Sequence, residues 1–183
     1  MRSLAIVVLA ATITNAGASF YDSGAGKIVV DEGATAEELA LAVVHAAHHA
    51  RSDKDGSRAK VERETRARYV EKMLAEEAAA VAAAIETKRD LQANGKTVLF
   101  RNPLEREYDE AYRRAVARLR QSTASPGVGD LEAAAKAAAR AAVHRGFVTG
   151  KVVSATTART VPDYYARTWA RSHPSQQRGG VQP

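Results

Sequence analysis

The chain has 183 residues and a formal net charge of +6, and 45% of its residues are hydrophobic but only 5% are aromatic. This length suits one domain with its own core, and the alanine-rich composition favours helices that pack through small side chains. Because cysteine is absent, disulfide frameworks, thiolate metal sites and thiol nucleophiles are excluded, so any metal site must use histidine and carboxylate ligands.

The positive charge is spread along the chain, because Lys and Arg alternate with Asp and Glu nearly everywhere. The sequence has no basic stripe with interleaved aromatic residues, the pattern that is typical of nucleic-acid binding. We therefore expect a solvated surface of mixed charge and no nucleic-acid partner. A basic nucleic-acid-binding module remains a third-ranked hypothesis.

The first 18 residues allow two interpretations. The apolar run from Leu4 to Ala11, followed by Asn-Ala-Gly-Ala at residues 15–18, imitates a short secretory signal with a cleavage site. A single basic residue, Arg2, precedes the run, which favours the alternative of a buried strand or short helix that opens the domain. Eight apolar residues are too few to cross a membrane, so we expect no membrane span.

Residues 19–31 predict a β-hairpin, because two runs of β-formers flank a turn-rich segment at 22–26. A first helix is predicted from Thr35, which forms a capping box with Glu38, to about Arg51. The polar segment 52–58 is predicted to be a mobile loop. A long second helix is expected over about 63–91, with Asn-Gly at 94–95 as its stop.

The later elements are also marked by caps and breaks. Asn102 and Pro103 predict the N-cap and first position of a third helix that ends at about residue 121. A connection at 122–129 precedes a fourth helix, which Asp130 is expected to cap and Gly146 to end. Residues 147–154 predict a strand or hairpin, and residues 162–171 a short helix capped by Asp163.

These elements predict an α+β fold that is mostly helical, with a small N-terminal sheet or hairpin followed by four to five helices. We expect a single domain over residues 1–173. The Gln-, Gly- and Pro-rich residues 174–183 are expected to form a disordered tail.

Two histidines, His45 and His49, lie four residues apart in the first predicted helix. Side chains at this spacing share one face of a helix, one turn apart, so both imidazoles can bind the same ion. In zinc peptidases with the motif His-Glu-x-x-His, the two histidines bind the metal and the glutamate activates a water molecule. The spacing alone is a weak signal, since neighbouring histidines on a helix often form a solvated face.

A third ligand is available on the second predicted helix, where apolar residues and the methylenes of Lys88 form one stripe. Glu77 lies inside that stripe, three residues after Leu74 and four before Val81. A carboxylate that faces a core is costly unless it is bound, either by a metal ion or by an arginine of a neighbouring helix. Glu76, about 100° round the helix, is the second choice.

The remaining candidates have two interpretations each. Tyr164 and Tyr165 carry phenols that can stabilise an oxyanion, with Tyr165 preferred, or they are aromatic anchors beside Trp169. His48 points away from the His45–His49 pair and is expected to be a supporting or surface group. The other two histidines, at positions 144 and 173, carry no signal.

Five segments together resemble the metallopeptidase domains found at the C-terminal ends of bacterial polymorphic toxins. They are residues 27–31, the acidic start of the first helix, and residues 43–51, 69–80 and 162–169. The resemblance covers about residues 20–172 and rests on one short motif and the order of several looser ones. It implies a zincin fold in which His45, His49 and Glu77 bind Zn²⁺.

The resemblance also implies a function and a destination. Such a domain is made in the bacterial cytoplasm, leaves through a secretion or injection apparatus, and cleaves a protein in the target cell. Its implied partners are therefore that protein substrate, the delivery apparatus and an immunity protein.

The chain departs from the family at Ala46, where the family has the general-base glutamate. General-base catalysis contributes roughly 10² to 10⁴-fold, so this chain is expected to be nearly inactive. The reversed motif His-x-x-Glu-His also fails, because His48 occupies its glutamate position. Ala46 is either an introduced inactivating change or the mark of a natural pseudoenzyme. The alternative function is a non-catalytic helical interaction or structural protein.

Overall fold

The computed structural model describes residues 11–14, 19–121, 128–154 and 157–174. Over these residues the fold is α+β and mostly helical, as predicted, with a small N-terminal sheet followed by five helices. None of the helices in these ranges is long and apolar enough to cross a membrane. The predicted signal-like segment and the predicted disordered tail lie, except for residues 11–14 and 174, outside the described residues.

The sheet has three strands in the order β1-β3-β2. The predicted hairpin is confirmed, because β2 (Phe20–Asp22) pairs in antiparallel fashion with β3 (Lys27–Asp31). The strand β1 (Ala11–Thr14) pairs in parallel with the other edge of β3. The central strand is the apolar one, and its three middle residues are buried.

The first helix, α1 (Ala36–Lys54), begins where predicted, because Thr35 and Glu38 form the complete capping box. It runs three residues beyond the predicted end at Arg51, so the predicted loop at 52–58 begins as helix. The long helix α2 (Arg66–Ala93) begins later than expected, since the side chain of Thr65 caps it by accepting a hydrogen bond from the Arg68 N–H. Its predicted stop at Asn-Gly is confirmed.

The predicted start of the third helix is wrong. The helix α3 (Glu105–Gln121) begins two residues after Pro103, because Leu104 adopts a left-handed conformation with φ of 61° that no helix can include. The carbonyl of Leu104 accepts the first helical hydrogen bond, from Tyr108. Asn102 is therefore not the N-cap, although its N–H does donate to the Glu105 carboxylate.

Gly146 does not end the fourth helix, so the predicted end of this helix is also wrong. The helix α4 (Val128–Val148) continues past it, and Asp130 lies inside the first turn instead of capping it. A Cβ on Gly146 would lie 2.6 Å from both terminal carbons of Leu104, so this glycine allows a close approach between helix and loop. The chain turns at Gly150, where φ is 71°.

In place of the predicted strand or hairpin at 147–154, the described residues form one isolated antiparallel bridge between Val153 and Thr160. The last helix, α5 (Val161–Ser172), matches its predicted place. Its N-cap is Thr160 and not Asp163, because the Thr160 hydroxyl accepts a hydrogen bond from the Asp163 N–H.

The core is built around α2, which packs against α1, α4 and α5. Alanines of α2 at positions 78, 80, 82 and 84 are buried, which confirms the expected packing through small side chains. The predicted stripe is confirmed down to Lys88, which is 5% exposed. Larger side chains fill the space between helices: Met73, Leu74, Ile85, Tyr108, Val143, Phe147, Tyr165 and Trp169.

Candidate metal centre

The two histidines of α1 face α2 side by side. His45 and His49 are one helical turn apart, their ring centroids are separated by 4.9 Å, and their Nε2 atoms lie 3.1 Å from each other. Ala46, about 100° round α1 from His45, packs against Ile28 and Val30 of β3. The strand and α2 thus fix the rotation of α1, which points both rings toward the same place.

Glu77 of α2 completes the group. One carboxylate oxygen lies 3.7 Å from Nε2 of His45 and the other lies 3.6 Å from Nε2 of His49. Tetrahedral zinc with bonds of about 2.0–2.1 Å separates its ligand atoms by about 3.3 Å, so these spacings suit a single ion. His45, His49 and Glu77 form a group that could hold a metal ion, with all ligand atoms within 4.8 Å of one another. These three residues are called the metal group below.

The alternative explanation for Glu77, a salt bridge to an arginine, is not what the described residues show. Its partners are the two histidines and Tyr165, whose hydroxyl donates to Glu77 Oε1 over 2.6 Å. Glu77 is 21% exposed, so the group is open to solvent on one side. A metal ion could therefore reach it without unfolding.

Glu76, the second choice for the third ligand, has another role. Its carboxylate lies 2.6 Å from Nδ1 of His49 and is 7% exposed. The Nδ1–H of His49 donates to this carboxylate, which leaves Nε2 with its lone pair aimed at the group. Arg58 lies near the same carboxylate, with its Nε 3.9 Å from Oε1. The only signal for this role in the sequence is the position of Glu76 next to Glu77, which puts the two side chains about 100° apart round the helix.

Burial favours the neutral form of His45, which is the form that binds a metal ion. The pKa of His45 is lowered by burial, although the neighbouring Glu77 carboxylate opposes this effect. The pKa of His48 is lowered in the same way by burial, with the positive charges of neighbouring groups adding to it. His48 lies outside the group, as predicted, and His173 stacks on Trp169.

Tyr165 is an aromatic anchor, which is one of its two predicted interpretations, and its hydroxyl also contacts Glu77. It is buried beside Trp169 in the core, and its hydroxyl reaches the metal group through Glu77. Burial and the adjacent Glu77 charge raise the pKa of Tyr165, so the phenol keeps its proton and stays a donor. Tyr164 packs edge-on against it with ring centroids 5.3 Å apart and is partly exposed.

A cleft of about 690 Å³ opens beside the metal group. His45, Glu77 and Tyr165 line it at one side, and an apolar floor continues along α2. Among the described residues that line it, the charged side chains are acidic or histidine, with no lysine or arginine. The apolar part of the lining consists of Ala34, Leu41, Ala42, Val81, Ala84, Phe100, Pro103, Phe147, Val152 and Val161.

Ala46 is not among the residues that line this cleft. It is 1% exposed and packs against Ile28 and Val30, so it forms the contact between α1 and the sheet. The sequence gave no sign that Ala46 is a packing residue between α1 and β3.

We compared the chain with protein-family models, curated proteins and solved structures, and none of the three comparisons finds a match.

Proposed function

We propose that this protein is a zinc-binding domain of the metallopeptidase type, in a form that lacks the general-base glutamate. The observation that carries the proposal is the convergence of His45, His49 and Glu77 at the edge of a cleft. Two imidazoles and one carboxylate are the ligands of many catalytic zinc sites. Three protein ligands also leave one position open, as hydrolytic sites require.

The chain's own residues would each have a defined task at this site. His45, His49 and Glu77 would hold zinc, which when bound supplies a Lewis acid that polarises a carbonyl group. Glu76 fixes the tautomer and orientation of His49. Tyr165 holds the Glu77 carboxylate in place and keeps a protonated phenol close to the site.

The reaction itself would be slow in this chain, because Ala46 cannot accept a proton. Tyr165 is a donor and the Glu76 carboxylate is engaged by His49, so neither replaces the missing base. We propose that the parent activity is cleavage of a protein in a target cell, as toxin cargo of a delivery apparatus with a matching immunity protein. This part of the proposal rests on the resemblance of the sequence motifs.

The test restores the carboxylate. In a bacterial expression host, Ala46→Glu should produce zinc-dependent toxicity and new cleavage products in the proteome, whereas the original chain should not. The matched control is Ala46→Gln, which adds a side chain of the same size without a general base. A folded, zinc-loaded Ala46→Glu protein that is as harmless as Ala46→Gln would contradict the peptidase proposal.

A second candidate function is a non-catalytic helical protein, and the burial of Ala46 favours it. A residue that seals α1 against β3 has a structural reason to be alanine, which catalysis does not supply. If the histidines are only surface residues of such a protein, zinc should not bind and chelators should not change the melting temperature.

A further inference from the structure

We propose that the loop over residues 96–101 is a membrane-docking site, at which two exposed apolar side chains enter an anionic lipid surface while neighbouring arginines bind its phosphates. The loop joins α2 to α3 and has the sequence Lys-Thr-Val-Leu-Phe-Arg. Its occupant is the surface of a phospholipid bilayer, which the loop enters without crossing it. The docking site shares no residue with the metal group.

Two adjacent side chains of the loop are apolar and open to solvent. Leu99 is 84% exposed, and Phe100 is 46% exposed. Leu99 is the most exposed large hydrophobic residue in the described part of the chain. A single exposed hydrophobic residue is ordinary on a protein surface. An adjacent leucine and phenylalanine in an irregular loop form a larger apolar area, of the kind that a binding partner covers.

The backbone of the loop is held in place at two points. Val98, next to Leu99, is 5% exposed and belongs to the core. The buried Lys88 donates a hydrogen bond to the carbonyl of Phe100 over 2.7 Å and pairs with Glu105 at 2.7 Å. Because the backbone is fixed in this way, little conformational entropy is lost when Leu99 and Phe100 dock.

A groove next to the loop supplies positive charge. Its acidic lining residues are Glu105, Glu107 and Asp109, and its exposed basic ones are Arg101, Arg106 and Arg113. Each of the three acids already pairs with a cation, and in chain order their partners are Lys88, Lys151 and Arg89. Arg101 and Arg113 have no ion pair within the described residues. Two guanidinium groups are therefore free to bind phosphate oxygens, for which their planar geometry is suited.

The combination of the two features favours a lipid surface over other partners. Lys96 and Arg101 are exposed at the two ends of the loop, and no acidic residue lies between them. A nucleic acid would use these cations but leave Leu99 and Phe100 in water. An apolar protein surface would cover the two apolar side chains but leave the cations without partners. An anionic bilayer offers phosphates and, directly beneath them, hydrocarbon.

Sedimentation with lipid vesicles tests the docking site on the full chain. The probes are large unilamellar vesicles of equal parts phosphatidylglycerol and phosphatidylcholine, and vesicles of phosphatidylcholine alone. At physiological ionic strength we expect the partition coefficient of the protein to be at least about tenfold higher on the anionic vesicles, because each cation near the surface adds to the attraction.

Two substitutions test the apolar half of the site. Leu99→Ser and Phe100→Ser should each lower the partition coefficient on anionic vesicles by about five- to tenfold, since each removes an apolar side chain that would enter the hydrocarbon. The matched control is Phe20→Ser on β2, where a phenylalanine is 48% exposed. It should partition like the original chain. Leu99→Ser should also keep the original melting temperature, because Leu99 is so exposed.

A third substitution tests the cationic half. Arg101→Gln should lower the partition coefficient by about fivefold. The matched control is Arg63→Gln, which removes the same charge from an exposed position before α2. The 28 residues of α2 separate the two arginines by about 42 Å, so Arg63→Gln should have little effect. Glycerol phosphate, which has the headgroup chemistry without acyl chains, should release no more protein than sodium chloride at the same ionic strength.

Four results would overturn the proposal. Equal partition of the original chain onto both kinds of vesicle would show that no anionic lipid site exists. Unchanged partition of folded Leu99→Ser would indicate a phosphate site without insertion, and so would release by glycerol phosphate. Equal losses in Arg101→Gln and Arg63→Gln would mean that only overall charge matters. A dimer in gel filtration that Leu99→Ser dissociates, without vesicle binding, would show that a second copy of the chain covers the loop.

Discussion

At the scale of single residues, the site depends on two carboxylates that occupy adjacent positions of α2 and have different roles. The Glu77 carboxylate faces both histidines, while the Glu76 carboxylate contacts Nδ1 of His49, on the far side of that ring. Adjacent helical positions point about 100° apart, so two consecutive glutamates can serve as ligand and orienting residue. Sequence reasoning found Glu77 from the apolar stripe that contains it, but it could not assign Glu76 without knowing where His49 lies.

The role of Glu76 can be measured through zinc affinity. Glu76→Gln keeps the size of the side chain but weakens the hydrogen bond that orients His49, so zinc affinity should fall by about 10 to 100-fold. A competition titration with a zinc-binding dye would measure the change. Glu71→Gln, an exposed residue on the same helix, should leave the affinity unaltered. An unchanged affinity in Glu76→Gln would show that His49 needs no such support.

The packing of Ala46 predicts a cost for restoring the glutamate. Because Ala46 is enclosed by Ile28 and Val30, Ala46→Glu should lower the free energy of unfolding by about 1–3 kcal/mol through overpacking. Val43→Glu, at an exposed position of α1, should change it by less than about 0.5 kcal/mol. Urea denaturation would compare the two variants. Equal stability of both variants would mean that the packing of Ala46 against β3 does not limit the size of the side chain at position 46.

At the scale of elements, the sequence predicted those helix boundaries that are set by local signals. The capping box of Thr35 and Glu38 placed the start of α1, and the Asn-Gly pair placed the end of α2. The predicted start of α3 was wrong, because no local sequence signal indicates that Leu104 adopts a left-handed backbone conformation. The sequence predicts that Gly146 ends a helix, whereas the structure shows that this glycine allows a close tertiary contact with Leu104, which lies 42 positions away in the sequence.

The contact between Gly146 and Leu104 can be tested by a double-mutant cycle. Gly146→Ala alone should destabilise the protein by about 1 kcal/mol, because overpacking against Leu104 exceeds the gain in helix propensity. In a Leu104→Ala background the same change should stabilise by about 0.5–1 kcal/mol, since only the propensity term remains. Thermal denaturation of the four proteins measures both values. The same sign in both backgrounds would rule out the contact.

At the scale of the whole molecule, Glu86 links three helices. It lies on α2, accepts a hydrogen bond from Tyr108 of α3 and pairs with Arg140 of α4. Burial disfavours the Glu86 charge, but the hydrogen bonds from Arg140 and Tyr108 outweigh burial, and the pKa of Glu86 is lowered. The ionised carboxylate thus stabilises the fold above the unfolded-state pKa of about 4.3, and this contribution is lost as the pH falls through the folded-state pKa.

This linkage predicts the acid profile of the protein. The melting temperature of the original chain should fall more steeply below about pH 4 than that of Glu86→Gln, which has no such proton to take up. Above pH 5, Glu86→Gln should be the less stable of the two. Differential scanning calorimetry across this range would show both effects. Parallel profiles for the two proteins would mean that Glu86 does not link folding to pH.

The whole account depends on metal binding by three residues from two helices. The most direct test is the zinc content of the purified protein, measured by mass spectrometry of the metal after loading with equimolar zinc and desalting. We expect one zinc per chain in the original protein and almost none in His45→Ala or Glu77→Ala. A zinc-free original protein, or zinc that persists in both variants, would contradict the central claim.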